Sequence, residues 1–143
     1  MSQVRGEVSA GEGRRPMREH VERLVQLAEH LEEADAALIR AVYERGLSAS
    51  ELARATRQRR QRIQRRLAQL VSRLSSRAFR LVVRSRERWS GPRRLVGELI
   101  FLQGHTQREA ARRAGLSLHE VRQHVASIRA LADAADEVER SAA

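Results

Sequence analysis

The 143-residue chain contains no cysteine, which removes disulfides, thiol nucleophiles and cysteine-ligated zinc together. It contains no lysine either, so all 28 of its basic residues are arginine. Aromatic residues make up only 3% of the chain, and there are two prolines. A core must then be built from Leu, Val, Ile and Ala, which suits packed helices better than a sandwich or barrel. No stretch approaches the run of about 18 apolar residues that a spanning helix needs. The opening residues also lack the apolar block of a secretory signal. The expectation is a cytoplasmic, nucleoid-associated protein with no membrane partner. No phosphate-cradling glycine loop and no Ser/His/Asp elbow is present, so an enzyme is not expected. His119 with His124, and His20 with His30, lack the four-residue spacing of a helical metal pair, so no metal and no cofactor is expected. Glu32, Glu33 and Asp35 read as a solvated helix end.

What is present is charge, unevenly placed. The formal balance of +10 is concentrated between Arg57 and Arg94, where 14 arginines meet the single acid Glu87, a local +13. The remaining residues hold 14 arginines against 17 acids. A GC-rich genome explains arginine over lysine, but it does not explain the exclusion of acids from one block. Such a block is an electrostatic footprint for a polyanion.

Residues 1–16 are polar, glycine-containing and read as a disordered arm. From Met17, apolar residues at Val21, Leu24, Ala28 and Leu31 repeat at helical spacing. A second set, Leu38, Ala41 and Val42, ends at Gly46, a C-cap glycine. "SASE" (Ser48 to Glu51), "TQRE" (Thr106 to Glu109) and "SLHE" (Ser117 to Glu120) each carry the capping-box pattern. Ile63, Leu67, Leu70, Leu74, Ala78 and Leu81 hold helical spacing with no Gly or Pro before Gly91, which predicts one long basic helix stopped by "SGP". "AFRLVV" has strand-like composition, but helix is favoured over that stretch. A further helix is expected around Arg94 to Gln103. The predicted organisation is the arm, then residues 17–90, then 91–132, then an acidic frayed tail over 133–143.

Shifting the chain by 58 residues lays Leu38–Leu70 on Val96–Ile128. Gly46 meets Gly104, Ser48 meets Thr106, Glu51 meets Glu109, Ala53 meets Ala111 and Ile63 meets Val121. Identity is low; the shared order of helix, glycine, cap, short helix, turn and longer helix is what points to a duplicated unit.

The second block, "TQREAARRAGLSLHEVRQHVASIR" after "LVGELIFLQG", resembles the helix-turn-helix family, and in particular the C-terminal, −35-reading region of bacterial sigma factors. Ala111 is small where the two helices would cross, Gly115 supplies a left-handed turn, and Leu116 and Val121 seal the joint. The sequence departs from the family at His124, where an aliphatic residue is usual and Val125 is the nearest substitute. The resemblance implies an all-α fold of two helix-turn-helix units joined by a long basic helix, with an N-terminal amphipathic helix. It places Ser117, Leu118, His119, Arg122 and Gln123 in a major groove, where Arg reads guanine and Gln reads adenine. Thr106, Arg108 and Arg112 would hold phosphates. In the first block Arg57 stands at the glycine position, which predicts a looser or longer turn. Its Arg60, Gln61, Gln64 and Arg65 would face bases, and Arg57, Arg59, Arg62 and Arg66 would face phosphates.

The function expected on this basis is double-stranded DNA binding in transcription, with RNA polymerase as a further partner implied by the sigma resemblance. The alternative is an assembly or scaffold module of a phage or mobile element, a homodimer or larger oligomer built on the Met17–Leu31 or Ile63–Leu81 helices. Sequence-specific single-stranded RNA binding is disfavoured because stacking aromatics are almost absent.

Overall fold

A computed structural model describes residues 17–143, and among these the chain forms helices and turns with no strand. The expected arm over residues 1–16 lies outside them. Helix α1 covers residues 17–27 and runs into a 3₁₀ turn, Ala28–His30. Then come α2 (Glu33–Tyr43), α3 (Ala49–Thr56), α4 (Arg60–Leu74), α5 (Arg77–Ser85), α6 (Gly91–Gly97) with a π turn over Glu98–Leu102, α7 (Gln107–Ala114) and α8 (Leu118–Ala142).

The single long basic helix does not form. It breaks at Ser75 and Ser76 into α4 and α5. The Ser76 hydroxyl accepts from the Phe79 amide at 3.1 Å and donates to the Arg73 carbonyl at 2.8 Å. A serine that bonds its neighbouring backbone offers the chain an alternative to the helical ladder, and here it caps a new helix. The redirected α5 buries Phe79 and Val82 completely. Burying a side chain the size of Phe79 contributes about 3 kcal/mol, ample to hold the break. "SGP" starts a helix as well as following one, since Pro92 sits in the first turn of α6, where its missing amide costs nothing.

Two apolar clusters result. The larger joins α1, α2, the end of α4, α5, α6, the π turn, α7 and α8 around Ile39, Phe79, Leu102 and Ile128. The smaller, Ala41, Leu52 and Ile63, sits under α3 and the start of α4, and Leu38 and Leu67 touch both clusters. The stripes expected to carry a homodimer are spent inside the chain: Leu24, Ala28, Leu31, Ile63, Leu70, Leu74 and Ala78 are all buried. Among the described residues no helix is long and apolar enough to cross a membrane.

The expected frayed tail is a correction too, because α8 stays helical to Ala142. Its acids answer the arginines of α5. Arg77 pairs with Asp133 at 3.3 Å and Asp136 at 3.5 Å, and Arg84 pairs with Glu139 at 3.0 Å. Part of the basic block therefore neutralises the chain's own C-terminal helix.

Candidate nucleic-acid interface

The 58-residue echo is carried by the backbone. Arg45 donates to the Arg40 carbonyl and Leu47 to that of Ala41; 58 residues on, Gln103 donates to Glu98 and His105 to Leu99. Gly46 and Gly104 follow the two helices at φ 75° and 77°. Ser48 with Glu51, and Thr106 with Glu109, both form complete capping boxes. Gln58 donates to Ala53 and Leu116 to Ala111, both at 3.0 Å. "SLHE" is only half a box: the Ser117 hydroxyl accepts from the Glu120 amide, but the glutamate does not return the bond.

The turns between α3 and α4 and between α7 and α8 match residue for residue. Gly115 holds φ 66°, ψ 31°, and Arg57 holds φ 53°, ψ 37°. The looser first turn expected from arginine at this position is not found. Arg57 accepts the left-handed conformation at about 1 kcal/mol, because Ile63 and Leu52 beneath it are buried and fix the crossing of the two helices. Val121 and Val125 do the same for the second pair, and Val125 fills the aliphatic position while His124 is only half-buried.

Most of the predicted contact residues are exposed. Ser117, His119, Arg122 and Gln123 lie open at the start of α8, with Leu118 half-buried among them. Arg60, Gln61, Arg62, Gln64 and Arg65 are open on α4, and Arg57 and Arg59 at its approach. Thr106, Arg108 and Arg112 are open on the second pair. Arg66 is the correction. Its guanidinium lies 2.6 Å and 3.1 Å from one carboxylate oxygen of Asp35, so it is committed within the chain. Of the block's arginines, Arg66, Arg73, Arg77, Arg84 and Arg94 have acid partners. Of the nine that have none among the described residues, five, Arg57, Arg59, Arg60, Arg62 and Arg65, stand exposed around the start of α4; Arg80, Arg86, Arg88 and Arg93 lie on α5 and beyond it.

Two adjoining open grooves connect the two helix pairs. One runs along α4 past Arg59, Gln61, Arg62 and Arg65. The next shares Arg65 and Gln69 with it and continues past Ser72 to Arg129 of α8, over a floor of Ile100 and Phe101. Neither lining contains an acid. Arg129 lies two turns beyond Arg122 on the same face of α8, with its guanidinium 5.9 Å from the Phe101 ring centre. Gln69, Ser72 and Arg129 escaped sequence reasoning, since only packing brings α4 against the middle of α8. Arg54 was legible: it is exposed and is the 58-residue counterpart of Arg112.

The pairs are fastened at α2. Asp35, with its side chain 14% exposed, holds Arg66 and, at 3.4 Å, Arg73. The Arg73 guanidinium lies directly against Gly104 of the second pair. Glu32 and Glu109 flank His105 at 3.7 Å and 3.1 Å. The hydrogen bond from His105, and after it the Thr106 amide, holds the Glu109 carboxyl below the usual carboxylate range. The acids at the start of α2 are thus a joint between the two units, where a solvated helix end was expected.

Scans against family models, curated proteins and solved structures find nothing similar to this chain.

Proposed function

We propose that the chain binds double-stranded DNA through two helix-turn-helix units and acts in transcription regulation. The observation that carries this reading is the repeated turn, alike in length and dihedral angles at a constant offset, beside grooves whose walls are basic and free of acid. In this reading the start of α8 enters a major groove, where its capped N-terminus presents backbone amides and the positive end of the helix dipole. Arg122 and Gln123 read bases, each bidentate contact contributing about 1–3 kcal/mol of discrimination. Arg57, Arg59 and Arg62 hold phosphates beside α4, with Arg108 and Arg112 doing so on the second unit. The joint at Asp35 and His105 fixes the two units relative to each other, so one chain sets the half-site spacing that other proteins obtain by dimerising. Among the described residues, no exposed apolar stripe along α1 or α4 favours the scaffold alternative.

Fragment selection with the purified protein, followed by affinity measurements at several salt concentrations, tests the proposal. Arg59→Ala with Arg62→Ala should lower the salt slope by about 2 while preserving sequence preference. Arg122→Ala with Gln123→Ala should relax preference at the bases they read. Absence of any salt-dependent duplex binding refutes the proposal, and an unchanged preference in the second variant removes α8 as the reader.

A further inference from the structure

Arg62, Arg65, Gln69 and Ser72 are exposed on α4 at spacings of 3, 4 and 3, one line of hydrogen-bond donors along the joined grooves. Arg129 lines the same groove from α8, beside Ile100 and the buried Phe101. The 58-residue repeat does not account for this line. Its counterparts on α8 are Glu120, Gln123, Ser127 and Ala130, and the counterpart of Arg129 on α4 is Val71. The groove is therefore a property of the junction between the units and of neither helix-turn-helix by itself.

Its lining narrows the occupant. No acid borders it, and Arg62, Arg65 and Arg129 make no ion pair among the described residues. A protein partner is usually anchored by large apolar side chains. None of the exposed ones described, Met17, Leu95, Leu131 and Val138, lines this groove. A chain of evenly repeated negative charge matches it instead. From Arg62 to Ser72 the line runs about 15 Å at 1.5 Å per residue, the rise of about four nucleotides of a duplex strand. We infer that this groove seats the sugar–phosphate backbone of the DNA between the two half-sites, an assignment that rests on the DNA-binding reading above. Arg65 and Arg129 meet its phosphates, with Gln69 and Ser72 donating beside them. Arg65 thereby takes a phosphate in place of the base expected from the sequence. The two half-sites become one continuous site whose spacer is held without being read.

Hydroxyl-radical footprinting on the tightest-binding duplex from fragment selection should show two half-sites and, between them, about four protected nucleotides on one strand. Arg65→Gln and Arg129→Gln should each lower the salt slope by about 1 and open the spacer, while both half-site footprints persist. The same duplex with its spacer phosphates replaced by uncharged methylphosphonates should bind the parent chain about tenfold or more weakly. It should bind the doubly substituted chain no more weakly than the unmodified duplex does. An open spacer between two protected half-sites overturns the inference and leaves DNA binding standing. Undiminished affinity for the methylphosphonate duplex does the same, and leaves the groove to an acidic protein segment. Absence of any salt-dependent duplex binding overturns the proposed function and this inference with it.

Discussion

Replacing Gly104 with alanine should cost about 2–3 kcal/mol, against about 1 kcal/mol for Gly46→Ala. The two residues hold nearly the same backbone, φ 77° and 75°, at equivalent places in the two units. The left-handed conformation costs an L-residue about 1 kcal/mol at either position. They differ in what a Cβ would meet. At Gly46 nothing lies within 4 Å. At Gly104 the new carbon would overlap the Arg73 guanidinium and come within 2.7 Å of its Cζ. An arginine tip usually swings aside cheaply, but this one is 20% exposed and bonds Asp35 at 3.4 Å. Displacing it forfeits that charge-assisted bond, worth about 1–2 kcal/mol. Urea unfolding followed by far-UV circular dichroism on the two variants, alone and with Arg73→Ala, completes the double-mutant cycle. Gly104 and Arg73 should couple by at least about 1 kcal/mol, and Gly46 and Arg73 by nearly zero. Equal costs at the two glycines, within about 0.5 kcal/mol, refute the wedge. So does an excess at Gly104 that survives in the Arg73→Ala background.

Two further outcomes follow from the turns and caps. Arg57→Gly relieves the left-handed arginine and should stabilise the chain by about 0.5 kcal/mol, a Tm rise of about 2 °C by thermal melting. Glu109 is held below the usual carboxylate range by His105 first and the Thr106 amide second, and Asp136 is held there by Arg140. A lowered carboxyl contributes stability that is complete above its unfolded pKa and is lost as pH falls through the folded one. Melting temperatures taken between about pH 6 and pH 3 should therefore fall less steeply in Glu109→Gln and in Asp136→Asn than in the parent chain.

Much of the candidate interface was legible because it depends on local chemistry. Ser48 and Thr106 cap helices through groups three residues away, and Gly115 turns left-handed for want of a Cβ. The 58-residue repeat followed from such marks in order, with very little identity behind it. The errors came where a local mark was read too strongly or too weakly. Arg57 looked incompatible with a tight turn, but the burial of Leu52 and Ile63 outweighs about 1 kcal/mol of backbone strain. The unbroken spacing from Ile63 to Leu81 read as one helix, but the chain breaks at Ser76, which caps a new helix that buries Phe79.

The sequence by itself determined that the chain is helical, where its caps and glycines fall, and that acids are kept out of one block. Periodicity, capping spacing and composition are all short-range, and each acts before the chain is folded. The tertiary structure decided which arginines remain free. Arg66 and Arg73 go to Asp35, and Arg77 and Arg84 go to the acids of α8, while five arginines around the start of α4 are among those left free. It also joined Arg65 to Arg129 along one groove and left Leu131 and Val138 uncovered. Coulomb partners and uncovered faces depend on which helices meet in space, and no period of three or four residues encodes a meeting between α2 and α4 or between α5 and α8.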